Sequence, residues 1–261
     1  MGSEASTTRT AIVTGGAGGL GAAYARRLAA DGFRVAIVDI KPADDAVEAI
    51  AQAGGDARFY VCDITVPAEV DRLLHRIETE LGGADVLVNN AGRYEFTPTE
   101  AVTFELWRKI MALNVDGMFL MTQGVIPGMR RKGWGRIINV ASNSAFIPPP
   151  GLSAYVASKS ASIGYIRSLA GELGKDGITV NAVAPGPTVT ETTRAAFNDE
   201  KSADGGQAAF DVFMNGFVET QAIKRVSIPD YSAPVVSFFA SEDAAFVTGQ
   251  TLVVDGGDAK H

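Results

Sequence analysis

The chain has 261 residues and a single cysteine, Cys62, which excludes an internal disulfide and reads as a small buried side chain. Acidic residues outnumber basic ones, 30 to 23, for a net charge of −7, and the Lys and Arg residues are scattered. That balance argues against nucleic acid or an anionic membrane as partner, and the apolar stretches read as too short to span a bilayer.

The start, Met1 to Thr10, is polar and has no signal-peptide core. Gly2 and Ser6 fit a myristoylation pattern, which an ordinary disordered start explains equally well, and a cytoplasmic protein is expected. No linker, repeat or charge block divides the sequence, so 1–261 reads as one domain.

Short β-rich runs then alternate with helix-length segments. Residues 10–14 read as a strand and 19–30 as a helix; 34–39 as a strand and 44–53 as a helix. A third strand at 58–63 precedes a helix at 67–81, opened by Pro67. After a fourth strand at 85–89 comes one long helix or two at 103–129, interrupted near Gly117. A strand at 136–141, a long helix at 153–173, and strands at 179–184 and 251–255 complete the series. The strands are near-continuous Val/Ile/Ala runs, the pattern of strands covered on both faces. With the β-α alternation this predicts an α/β fold: a doubly wound, parallel, seven-stranded Rossmann sheet with helices on both faces. Thr14, Asp39, Asp63, Asn89 and Ser142 then all fall at strand C-termini, the edge where ligands bind such sheets.

The turn from Thr14 to Gly21 joins the first strand to the first helix. It fits G-x-G-x-x-G through Gly16, Gly18 and Gly21, and T-G-x-x-x-G-x-G through Gly15, Gly19 and Gly21. Either way, absent side chains let backbone N–H groups and a helix N-terminus approach a pyrophosphate. Asp39, ending the second strand, can accept both ribose hydroxyls of an adenosine and repel a 2′-phosphate, which favours NAD over NADP; neighbouring Lys41 works the other way. Tyr155 and Lys159 stand one helical turn apart on one face, with Ser142 upstream. An ammonium so placed is expected to pull the phenol below its usual pKa of about 10, preparing it to exchange a proton with an alcohol or carbonyl. No metal site and no Ser/His/Asp arrangement emerges: His75 and His261 are the two histidines, and neither has partners of that kind.

The glycine turn, Asp63, Asn89-Asn90-Ala91-Gly92, Asn114, Ser142, Tyr155 with Lys159, and Pro185-Gly186 together resemble the short-chain dehydrogenase/reductase superfamily in its single-domain form. The resemblance runs from Thr10 to the 251–257 segment. It implies a cofactor half at 9–140, with Gly15, Gly18, Gly19, Leu20 and Gly21 at the pyrophosphate, Asp39 and Ile40 at the adenosine ribose, Asp63 and Ile64 at the adenine, and Asn89, Asn90, Ala91 and Gly92 lining the cleft. It implies a catalytic half at 141–257. There Tyr155 exchanges the proton, Lys159 holds the nicotinamide ribose, Ser142 orients the substrate oxygen, and Asn114 holds a water that links Lys159 to solvent. Pro185, Gly186 and Thr188 flank the nicotinamide, and Thr190 reaches its carboxamide or the pyrophosphate. It also implies homo-oligomers, tetramers or dimers, paired through the helices after Gly92 and around Tyr155.

The substrate pocket is expected in the loops after the fourth to sixth strands, with Tyr94, Ser144, Phe146, Pro187 and Phe213 as lining and 188–226 as a lid. Phe210, Phe213, Met214 and Phe217 form an apolar helical stripe in that lid. Apolar lining suggests an aryl or cyclic secondary alcohol and its ketone, oxidised with NAD. Segments at 133–138 and 174–179 and the terminal His261 look like the branch with phenylethanol-type and pyridoxal dehydrogenases. Arg93 is a second-choice reader of an acidic substrate group, a solvated or paired arginine being the simpler reading. The alternatives are an NADP-dependent carbonyl or 3-oxoacyl reductase, and a dinucleotide-binding regulatory protein without turnover.

Overall fold

Four segments are buried at every residue: β1 (Thr10–Thr14), β4 (Val86–Asn89), β5 (Gly135–Val140) and β6 (Ile178–Pro185). Chains this apolar on both faces must be covered twice, and here they form the centre of a parallel sheet. With β2 (Arg34–Asp39), β3 (Asp56–Val61) and β7 (Thr251–Val254) the order is β3-β2-β1-β4-β5-β6-β7. These elements belong to a computed structural model that describes residues 8–197 and 206–260. The expectations for Gly2, Ser6 and His261, and the 198–205 part of the expected lid, lie outside the described residues.

The helices among the described residues are α1 (Gly19–Ala30), α2 (Asp44–Gln52), α3 (Pro67–Leu81), α4 (Phe104–Met111), α5 (Met118–Lys132), α6 (Ser153–Leu173), α7 (Glu191–Ala195), α8 (Gln207–Thr220) and α9 (Ala233–Ala240). One core cluster joins Ile12 and Leu87 to Leu73 and Ile77 of α3, Met121 of α5 and Ile166 of α6. The other joins Val13 and Val88 to Tyr24 and Leu28 of α1, Ile50 of α2 and Phe239 of α9. Each fully buried Leu, Ile or Phe contributes about 1.5–3 kcal/mol, against about 0–1 kcal/mol for an exposed ion pair, so these two layers hold the fold.

Three differences from the sequence reading have local causes. β3 starts and ends two residues earlier than expected, because Asp56 pairs with Arg34 in register and the Arg34 guanidinium donates to its carboxylate at 2.9 Å. The chain has turned away by Asp63, whose carboxylate accepts from Thr65. β3 is an edge strand, and Val61 is exposed, so the doubly covered pattern fails there. The helical stretch from Phe104 to Lys132 is continuous through a π-helical turn, Ala112–Gly117. An 18-residue window within its 29 residues reaches a mean hydropathy of 1.2, so one helix is longer and more apolar than expected for a chain without spans; Met121, Val125 and Met129 place that apolarity in the core. Finally, α9 was not anticipated.

The sheet order reverses between β1 and β4, where the chain leaves in opposite directions and opens a crevice at the strand C-termini. The loops after β1, β2, β4, β5 and β6 converge on that edge.

Candidate active site

The loop after β1 is shaped by its missing side chains. Gly15 has φ +63°, and a Cβ on it would meet the Ala91 backbone at 2.8 Å; a Cβ on Gly21 would lie 2.1 Å from the Gly15 carbonyl. Gly19 also has positive φ, +54°, whereas Gly16 and Gly18 do not, so the register through Gly15, Gly19 and Gly21 is the one built. Helix α1 begins after Gly18 with no side-chain cap and no acidic residue in its first turn, which leaves its amides for an anion. Leu20 is partly buried beside them.

This loop is fastened across the crevice to the loop after β4. Asn90 Nδ2 donates to the Thr14 and Gly15 carbonyls at 2.9 and 3.0 Å. Thr14 Oγ1 accepts from the Asn90 and Ala91 amides at 3.0 and 3.1 Å. At the end of β2, Asp39 accepts from the Ala17 amide at 3.1 Å and the Lys41 amide at 3.0 Å, which aims a carboxylate along the rim of the glycine loop. Ile40 beside it is 67% exposed. The cradle thus fits a dinucleotide: uncapped amides at one end, a fixed carboxylate at the other.

Some expected cofactor residues are turned elsewhere. Asn89 does not line the cleft with its side chain: its Nδ2 donates to Thr122 and Asn139 at 3.0 and 2.9 Å inside the core. Ile64 is 5% exposed and belongs to the core cluster. Thr190 caps α7, accepting from the Thr193 amide at 3.0 Å, so its hydroxyl is already engaged. Thr188 Oγ1 donates to the Gly186 carbonyl at 2.9 Å, holding the turn that follows Pro185 and leads through half-buried Pro187.

Tyr155 and Lys159, the residues expected to be catalytic, lie on α6. Tyr155 is half-buried, and Lys159 is 6% exposed with its ammonium 5.6 Å from the Tyr155 ring centre. Lys159 Nζ donates to the Val140 carbonyl at 2.7 Å. The expectation that Lys159 pulls Tyr155 down is overturned. Burial pushes the Tyr155 hydroxyl up to about 12, and the hydrogen bond from Ser142 lowers it only in part. Burial also pulls Lys159 down to about 8, so it keeps its charge at neutral pH by a margin of only about one pH unit. Desolvation wins over an ion-dipole contact because both groups sit in the same dry pocket. Tyr155 therefore stands as a proton donor in this state.

Asn114 sits in the π-helical turn, a distortion common at functional sites. Its Oδ1 accepts from the Arg93 amide at 2.8 Å, and its Nδ2 donates to the Arg93 carbonyl at 3.0 Å and to Ser158 Oγ at 2.9 Å. Ser158 in turn donates to the Tyr155 carbonyl at 2.7 Å. Asn114 thus braces the loop after β4 against the catalytic turn, and one Oδ1 lone pair remains for the expected water. Ser158 was missed in the sequence; a small polar residue directly before Lys159 was the available signal. Thr14 and Asn139 were likewise not picked out as site supports.

A wall of rings leads away from Tyr155. Tyr94 packs edge-on against it at 5.7 Å, Phe96 on Tyr94 at 5.9 Å, and Phe213 of α8 on Phe96 at 6.1 Å. Phe197 and Phe217 flank Phe213 at 4.7 and 4.9 Å. Burial raises the pKa of the Tyr94 hydroxyl, and a side-chain hydrogen bond with Thr193 offsets this in part. Phe146 instead packs against the core cluster, and Phe210 and Met214 are the buried side of the α8 stripe. Arg93 is ion-paired with Glu95 at 3.4 Å, as the simpler reading had it.

Residues 9–201 match the short chain dehydrogenase family. The chain is 38% identical over 252 residues to the rabbit (Oryctolagus cuniculus) dehydrogenase/reductase SDR family member 4, covering 95% of this chain and 93% of that protein. It is 33% identical over 257 residues to a D-beta-hydroxybutyrate dehydrogenase of Rhizobium meliloti, covering 96% and 98%. The solved structure of a 3-oxoacyl (acyl-carrier-protein) reductase from Agrobacterium tumefaciens with NADP bound superposes with a TM-score of 0.86 at 28% identity, over 95% of this chain and 93% of that one. With the parallel sheet, the glycine cradle and the Ser142, Tyr155 and Lys159 cluster in place, the chain belongs to the short-chain dehydrogenase/reductase family of nicotinamide-dependent oxidoreductases.

Proposed function

We propose that this enzyme interconverts a hydrophobic secondary alcohol, aryl or cyclic, and its ketone, with NAD as the hydride carrier. The observation that supports this substrate class is the unbroken series of ring contacts from Tyr155 through Tyr94 and Phe96 to Phe213. Edge-to-face partners of this kind favour an apolar ring by about 0.5–1.5 kcal/mol each. The cations near it are engaged: Arg93 with Glu95, and Arg194 with Gln207 at 2.8 Å and the Phe210 face at 4.6 Å. The bound dinucleotide supplies the hydride acceptor or donor. The chain's own part is to place the substrate oxygen between Ser142 and Tyr155 and to move one proton at the Tyr155 hydroxyl.

NAD rather than NADP is supported by the Asp39 carboxylate, held by two backbone amides at the end of β2, whose charge would repel a 2′-phosphate. The test is a spectrophotometric screen for NADH formation across secondary alcohols, phenylethanol and pyridoxal-type alcohols included, repeated with NADP. Apolar ring alcohols should be oxidised with NAD, and Asp39→Ala should raise the KM for NAD and improve use of NADP. Activity confined to 3-oxoacyl substrates with NADP would replace this reading.

A homotetramer, or a dimer, is proposed with it. Phe104 and Phe119, on the helices after Gly92, are 78% and 46% exposed, an apolar cost that a second copy would relieve. Light scattering at micromolar concentration should give a mass of two or four chains; a monomer overturns this.

A further inference from the structure

We infer that Ser144 is a positioning residue that fixes Ser142 as a hydrogen-bond donor to the reacting oxygen. A serine hydroxyl has one proton and two acceptor sites. Ser142 Oγ accepts from the Ser144 amide at 3.2 Å and from the Ser144 hydroxyl at 3.0 Å. Both acceptor sites are thus filled by one neighbour, and the single Ser142 proton has to point elsewhere. A side-chain hydrogen bond between Ser142 and Tyr155 lowers the pKa of the phenol, the effect that a proton donated by Ser142 would have.

The arrangement is built in. Ser142 is extended, at φ −161° and ψ 150°, and caps the turn Asn143–Ala145 with its own side chain. Capping accounts for the amide contact alone; the second contact comes from the Ser144 hydroxyl. Ser142 and Ser144 are 7% and 5% exposed, so bulk water does not compete for either site.

The chemical consequence is directional. A serine with a free acceptor site can receive a proton from Tyr155 and so stabilise the phenol. A serine with none can only donate, which favours a phenolate at Tyr155 in the free site or, once substrate is bound and takes that proton instead, a charged oxygen on the substrate. Ser144, read from the sequence as substrate lining, acts instead through Ser142.

The role rests on the family chemistry at Tyr155 and not on which alcohol is used. It is read by the pH titration of the Tyr155 hydroxyl carbon in 13C-tyrosine-labelled enzyme with NAD, Tyr155→Phe identifying the resonance. Ser144→Ala should move the midpoint up, and Ser144→Thr, which keeps the hydroxyl, should restore it. With any alcohol substrate found, Ser144→Ala should lower kcat about three- to tenfold, the span of one neutral hydrogen bond, with KM unchanged. If Ser144→Ala fails to fold, Ser144→Cys, a poor donor of similar size, takes its place in the same measurements. An unmoved midpoint overturns the role, and so does a rise in KM alone, which would put Ser144 against the substrate. Failure of every alcohol in the screen ends the proposed substrate class but leaves the titration readable.

Discussion

Tyr155→Phe is expected to lower kcat in both directions by about 10²–10⁴-fold, the usual contribution of a placed general acid or base, while NADH binds as before. The phenylalanine ring keeps the 5.7 Å packing against Tyr94, so the fold around α6 is retained and the loss isolates one hydroxyl. The pH behaviour carries the sign. Because burial raises Tyr155 to about 12, the protonated form dominates at neutral pH. Ketone reduction, which needs the proton, should be flat across that range. Alcohol oxidation, which needs the phenolate, should climb with pH, and the slope should vanish with the hydroxyl. Stopped-flow NADH binding and steady-state profiles of kcat/KM in each direction check this. Retained turnover would mean that another group moves the proton.

Gly21→Ala is the second large effect. A methyl there would lie 2.1 Å from the Gly15 carbonyl and 2.6 Å from Asn90 Nδ2, and the first of these is backbone that cannot swing aside. The loop must shift by about 1 Å, the scale on which misplacement costs about 10²-fold, and NADH affinity should fall by that order. The sheet is left alone, so the melting temperature should drop by only about 2–4 °C. Isothermal titration with NADH alongside a thermal melt separates the two; normal affinity would place the pyrophosphate elsewhere.

The architecture was legible because buried parallel strands leave an unmistakable record: Ile12, Val13, Val180 and Val183 can face only protein. What the sequence could not show was orientation. Asn89 sits at a strand end, like the residues that line the cleft, but the next turn decides which way its amide points, and it points to Thr122 and Asn139. The edge position of β3 was equally hidden, since it depends on strand order. The Tyr155 expectation failed for another reason. Spacing on a helix reveals that Lys159 is near, but the dryness of the pocket is a tertiary property, and it outweighs the neighbouring charge. Ser144 was visible as a residue and invisible as a partner, because its role depends on the turn that folds its hydroxyl back onto Ser142.

The Asn90 amide, gripping the Thr14 and Gly15 carbonyls, ties the nucleotide-holding loop to the same strand end that Asn114 braces against α6. Redox machinery joined this tightly resists piecemeal alteration, since a change at either end is felt at the other. The ring contacts of Phe96, Phe197 and Phe213 touch none of those ties. Exchange of those aromatic residues would thereby leave the fastened loops beneath them undisturbed, so the two parts of the fold are free to change independently.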